Sequence, residues 1–123
     1  MIRVKRVYDP YEPADGLRYL VDRLWPRGMK KEHLRIDEWL KEVAPSAGLR
    51  SWFGHESDKW EEFCLRYEAE LADNRGAWQP LLEAACGKTV TLLFSAHDLE
   101  HNNALALKSF LESRMSDACG TTQ

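Results

Sequence analysis

Cysteine is scarce in this 123-residue chain: Cys64, Cys86 and Cys119 are three in number, and no C-x-x-C spacing occurs. An odd, unpatterned set argues against a disulfide framework and makes a reducing cytoplasm the expected setting. No window approaches the roughly 18 apolar residues of a membrane helix, and no signal-peptide pattern opens the chain, so no membrane partner is expected. There is no G-x-G-x-x-G after a strand, no Walker loop, no G-x-S-x-G elbow and no H-E-x-x-H. These absences weaken the common cofactor classes without excluding a nucleotide, and the cofactor stays unspecified. Excess positive charge is missing too: the net charge is −3, so nothing global argues for nucleic acid. Repeats, linkers and low-complexity segments are absent.

What remains is an ordinary globular composition, 44% hydrophobic and 30% charged, on a length that suits one domain with a real core. Five tryptophans imply aromatic-rich packing or a lined pocket. Ile2, Val4 and Val7, mixed with basic residues, suggest a first strand with imperfect alternation. The proline- and aspartate-rich stretch 8–16 reads as a loop, and Leu17 to Asp22 as the second strand. Residues 36–43 fit either a short strand or a helical turn, ended by Pro45. Ser46 is a plausible cap for a short helix reaching Phe53, and Ser57 for a helix over 58–73 that carries Cys64 on its apolar face. Trp78 to Ala85 begins another helix, with Gly87 expected just past its end. Thr89 to Phe94 is the strongest strand, apolar on both faces as a central parallel strand would be. A last helix is expected over 102–115. The expected architecture is a small three-layer α/β domain, with a short, mainly parallel sheet of about four strands flanked by helices. It spans residues 1–115, with 116–123 as a flexible tail.

The segment Val21-Asp22-Arg23-Leu24-Trp25-Pro26-Arg27-Gly28 carries the strongest functional signal. An apolar run breaks into two arginines at the rim of a sheet, where ligands of open α/β folds usually sit. A guanidinium fork matches carboxylate or phosphate, so Arg23 and Arg27 point to a small anionic molecule, with Trp25 as a pocket wall. The structural alternative pairs these arginines with Asp22, Asp98 or helix-end carbonyls. A second polar segment, Ser95 to Asn103, leaves the other strong strand and meets the N-terminus of the last helix, which favours an anion. If the two strands are parallel neighbours, both segments reach one edge. Ser95, Asn102 and Asn103 then join the ligand-binding set, although Asn102 and Asn103 suit helix capping equally well. His97 or His101 is the candidate proton carrier and Asp98 its orienter. His-x-x-x-His spacing also suits a metal, but no third ligand is fixed, and no metal site is assigned. His55 could fold over the site, with a surface position as the alternative, and the basic run from Lys30 to Arg35 reads as a solvated loop.

Val21 to Gly28, Trp52-Phe53-Gly54-His55, Trp60-Glu61-Glu62-Phe63 and Glu100-His101-Asn102-Asn103-Ala104 together resemble the YeaO-like branch of the domain of unknown function 488 family. The likeness covers about residues 2–114 and implies a compact bacterial or archaeal α/β domain, with no activity attached. The wider family often carries Cys-His-Arg where this chain reads His101-Asn102-Asn103, and a cysteine where Ser95 stands. The resemblance therefore puts thiol chemistry at that edge in doubt. A transcriptional-regulator label used in this branch finds no helix-turn-helix here to support it.

These readings lead to a site for an anionic metabolite or nucleotide at the carboxyl edge of the strands, with hydrolysis or group transfer as the expected chemistry if a reaction occurs. The competing expectations are a non-catalytic interaction module, including a homodimer built on exposed aromatics, and a nucleic-acid-associated protein.

Overall fold

Val90-Thr91-Leu92-Leu93-Phe94, the most apolar run, becomes an interior strand in the computed structural model, which describes residues 1–119. The strands are β1 (Ile2–Arg6), β2 (Leu17–Leu20), β3 (Glu38–Trp39) and β4 (Val90–Phe94). They form one sheet of order β1-β4-β2-β3, and every pairing is parallel. Every residue of β4 is buried, as a strand covered on both faces requires. Its register sets Val4 and Tyr19 on either side of Leu92, and Lys5 and Leu20 on either side of Leu93. The helices are α1 (Ala47–Phe53), α2 (Trp60–Ala72), α3 (Arg75–Gly87) and α4 (Asn103–Ala118).

The expected α/β class is what the chain adopts, but the two faces of the sheet are covered differently. Ile2, Val90, Leu92 and Phe94 pack into a core with Leu49 and Phe53 of α1, Phe63 and Tyr67 of α2, Leu82 of α3, and Leu107 and Leu111 of α4. On the opposite face Leu20 and Leu93 meet Val7 and Leu34, with Trp25, Met29, Ile36 and Trp39 packed around them. No α-helix residue belongs to that second cluster. The second flanking layer is therefore loop and 3-10 turn rather than helix. Strand alternation explains the basic residues of β1: Arg3 and Lys5 share this face with Arg18, where all three surround the buried Asp15.

Several local expectations change. Residues 36–43 form both elements in succession, β3 and then a 3-10 turn over Lys41–Val43. Ser46 caps α1 by accepting the Leu49 N–H at 3.1 Å. Ser57 is no cap; it begins a 3-10 turn, Ser57–Lys59, and α2 starts at Trp60. Gly87 is the last residue of α3 rather than the one beyond it. The tail boundary at residue 116 moves outward, since α4 continues to Ala118, while residues 120–123 lie outside the described residues.

Cys119 is disulfide-bonded to Cys86, with Cα atoms 5.2 Å apart. The argument against disulfides is corrected for this one pair: the ends of α3 and α4 lie side by side, an adjacency that spacing along the chain does not reveal. Cys64 is the remaining free thiol, half-buried on α2. With one pair formed, cysteine usage gives no argument for a reducing compartment. Among the described residues, no helix is long and apolar enough to cross a membrane.

Candidate functional site

Parallel strands all deliver their carboxyl ends to one edge, and here β2 and β4 are neighbours. A cavity of about 560 Å³ opens at that edge, a size typical of small-molecule sites. From the residues expected to act, Arg23, Trp25, Arg27, Ser95, His101, Asn102 and Asn103 all line it. His97 and Asp98 do not: His97 is exposed, and Asp98 stands behind His101.

The centre of the site is Asp22, the residue on which three chain segments converge. β2 ends one turn of pleat before it, and Val21 extends the ladder by donating its N–H to the Leu93 carbonyl at 3.1 Å. Ser95, just past β4, donates both its backbone N–H and its hydroxyl to Asp22 Oδ2, each at 2.9 Å. Asn103, the first residue of α4, donates to the Val21 carbonyl at 3.1 Å. Trp39 Nε1 donates to the Asp22 carbonyl at 2.8 Å. Arg6 fixes the segment after β4 by donating to the carbonyls of Ala96 and Ser95 at 2.9 and 3.0 Å. Burial pushes the Asp22 carboxyl above its ordinary value, against the pull of the Ser95 and Asn103 hydrogen bonds and of the Arg50 charge.

Three guanidinium groups, Arg23, Arg27 and Arg50, line the cavity with this one carboxylate. Arg23 is loosely held, donating to the Ala44 carbonyl at 3.4 Å with Glu42 at 3.8 Å. Arg27 is exposed, on a turn that Gly28 closes at φ +76°, a conformation that favours glycine. Arg50 is the most unusual: its Nε is buried and has no hydrogen-bond partner. An unmet buried donor costs about 1–3 kcal/mol, so a cation is held here at some expense to the fold. Arg50 was not anticipated from sequence. The available signal was its position three residues before Phe53 on a short helix, which puts it on the apolar face.

The aromatic lining comes from Trp25, Phe53, Phe63 and two histidines. Trp25 is fixed by donation to the Met29 carbonyl at 2.6 Å and by an edge contact with Trp39. His55 lines the cavity with its backbone at φ +59°, an uncommon conformation for a residue other than glycine. His101 Nδ1 lies 2.9 Å from Asp98 Oδ2, and its ring meets the edge of Trp60. The Asp98 carboxyl is held below its ordinary value by hydrogen bonds from the Glu100 backbone and the His101 ring. Asn102 acts as the cap of α4: its Oδ1 accepts from Leu105 N–H at 2.9 Å and its Nδ2 donates to the Asp98 carbonyl at 3.0 Å. Both ends of that amide are engaged inside the protein, so its part in the site is to hold the helix start. Among the described residues, no group of three or more His, Cys, Asp or Glu is placed to hold a metal.

A family model described as "Inactive DUF488-N3 subclade" matches residues 1–122. The chain belongs to this subclade. Its DUF488 relatives include the uncharacterized protein YeaO of Escherichia coli K12, 47% identical over 112 residues, which is 91% of this chain and 97% of that one. The uncharacterized protein Rv3073c of Mycobacterium tuberculosis is 38% identical over 113 residues, 92% of this chain and 95% of its own. No solved structure gives a significant match. Within this DUF488-N3 domain, no cysteine lines the cavity, and Ser95 spends its hydroxyl on Asp22.

Proposed function

We propose that this protein binds a small phosphate- or carboxylate-bearing molecule in the cavity at the carboxyl edge of its sheet, and binds it without turnover. The observation that carries the reading is Arg50, a buried guanidinium nitrogen with no internal partner on the wall of a cavity that also holds Arg23 and Arg27. A ligand oxyanion supplies the missing acceptor, and the start of α4 adds its dipole. Binding rather than chemistry is favoured by the lining itself, which offers no thiol, and by the description of the subclade as inactive. The tryptophans give less support to a protein-docking role, because Trp78 is buried and the others are half-buried.

Titration calorimetry with inorganic phosphate, phenyl phosphate and citrate tests the reading. At least one of these anions is expected to bind, and Arg50→Ala is expected to weaken it tenfold or more, roughly the loss of one charge-assisted hydrogen bond. Unchanged affinity in a folded Arg50→Ala protein removes Arg50 from the site and the proposal with it.

A further inference from the structure

The cavity is cationic except at one point, and that point is odd for an anion site. Asp22 lines the same space as three arginines, yet none of the ion pairs among the described residues includes it. It is held instead by the neutral donors of Ser95, both directed to Oδ2, with the Asn103 amide beside it. An ionised carboxylate is an acceptor only, with about four lone-pair sites, so these contacts leave acceptor capacity unused. A fully ionised oxyanion beside that carboxylate meets like charge and has no proton to offer. An oxyanion that still carries an acidic proton meets a hydrogen-bond acceptor.

Resting on the anion-binding reading above, we infer that Asp22 selects for a tetrahedral oxyanion bearing a proton, namely hydrogen phosphate or a phosphate monoester, and against sulfate. The arginines supply attraction common to all such anions, and Asp22 supplies the difference between them. Specificity of this kind comes from penalising the wrong ligand as much as from rewarding the right one. A carboxylate whose proton affinity is raised by burial suits the role, because it accepts a strong hydrogen bond from an acidic hydroxyl.

The experiment compares four probes by calorimetry at one ionic strength and at about pH 5.5, below the second pKa near 6 of a phosphate monoester, so that the first two keep an acidic proton: inorganic phosphate, phenyl phosphate, dimethyl phosphate and sulfate. Phosphate or phenyl phosphate is expected to bind roughly 10- to 100-fold more tightly than sulfate and dimethyl phosphate, neither of which carries an acidic proton. Tighter binding of phenyl phosphate than of phosphate assigns the natural ligand to the monoesters, and the reverse order assigns it to free phosphate; both support the inference. Asp22→Asn places an amide donor in the same position, and the preference over sulfate is expected to shrink to within about threefold. Circular dichroism checks that the variant folds, and the wild-type ratio needs no variant at all. Equal affinity for phosphate and sulfate overturns the role of Asp22 while leaving an anion site in place. Failure of all four probes to bind overturns the role of Asp22, and failure of citrate as well overturns the anion site.

Discussion

Two aspartates sit seven positions apart, on opposite sides of β2, and the protein treats them in opposite ways. Asp15 is fully buried on the loop-covered face, where Lys5 Nζ lies 3.1 Å away, Arg3 at 3.5 Å, and Arg18 in direct contact. Burial alone would raise its carboxyl, but the hydrogen bonds from Lys5, the Glu12 backbone and Arg18 outweigh it and hold the group below its ordinary value. Asp22 stands at the carboxyl edge beside three arginines and pairs with none of them. There the burial cost prevails, and its carboxyl is raised. A saturated carboxylate locks structure together; an unsaturated one that shares a cavity with cations it does not pair with keeps capacity for something that arrives from outside.

The largest effect that tests this contrast is expected at Asp15. Asp15→Asn strands three cations around a neutral amide, and loss of one partner from a buried ionic cluster typically costs about 3–5 kcal/mol. Urea unfolding monitored by tryptophan fluorescence should show the midpoint falling accordingly. A loss under about 1 kcal/mol, the range of an exposed pair, would mean that Asp15 is no more structural than its surface neighbours.

Most of the sheet edge was legible in the letters because it rests on local rules. Val90 to Phe94 is apolar at every alternate position and beyond, so its burial on both faces follows without tertiary knowledge. Arg23 and Arg27 follow an apolar strand directly, and such a break marks a rim. Arg50 was hidden for the opposite reason: spacing puts it on the apolar face of α1, but its place in the cavity depends on how that helix crosses the edge. The covering of the second face was hidden as well, since Leu34, Ile36 and Trp39 lie in a connector with no helical period. Cys86 and Cys119 met only through the packing of α3 against α4. Asn102 illustrates a residue type with two readings, cap and ligand, where only the hydrogen bonds decide.

Stability as a function of pH separates the two aspartates next. For Asp15 the folded value lies below the unfolded one, near 3.9, so its contribution is present above about pH 4 and is lost as pH falls through the folded value. For Asp22 the folded value lies above the unfolded one, so its contribution is complete below about pH 4 and is lost as pH rises through the folded value. Thermal unfolding from about pH 3 to pH 7 should therefore show the gap between wild type and Asp15→Asn widening upward. The gap between wild type and Asp22→Asn should move the other way. Parallel curves for the two variants would show that both carboxylates do the same work.

The smallest effect is expected from Asp22→Asn near neutral pH, and it tests the cavity side of the contrast. Ionised Asp22 bears a burial cost there that the amide does not. The amide oxygen still accepts from the Ser95 N–H and hydroxyl, which keeps the join between the ends of β2 and β4. Loss of a charge-assisted acceptor and relief of burial therefore oppose one another. The net change should fall within about 1 kcal/mol, with the sign at pH 7 toward stabilisation. Urea unfolding of the ligand-free protein measures it. A loss of about 3 kcal/mol, comparable with Asp15→Asn, would place Asp22 in the structural class with Asp15. The carboxylate would then be needed to hold the edge of the sheet together rather than to meet a ligand.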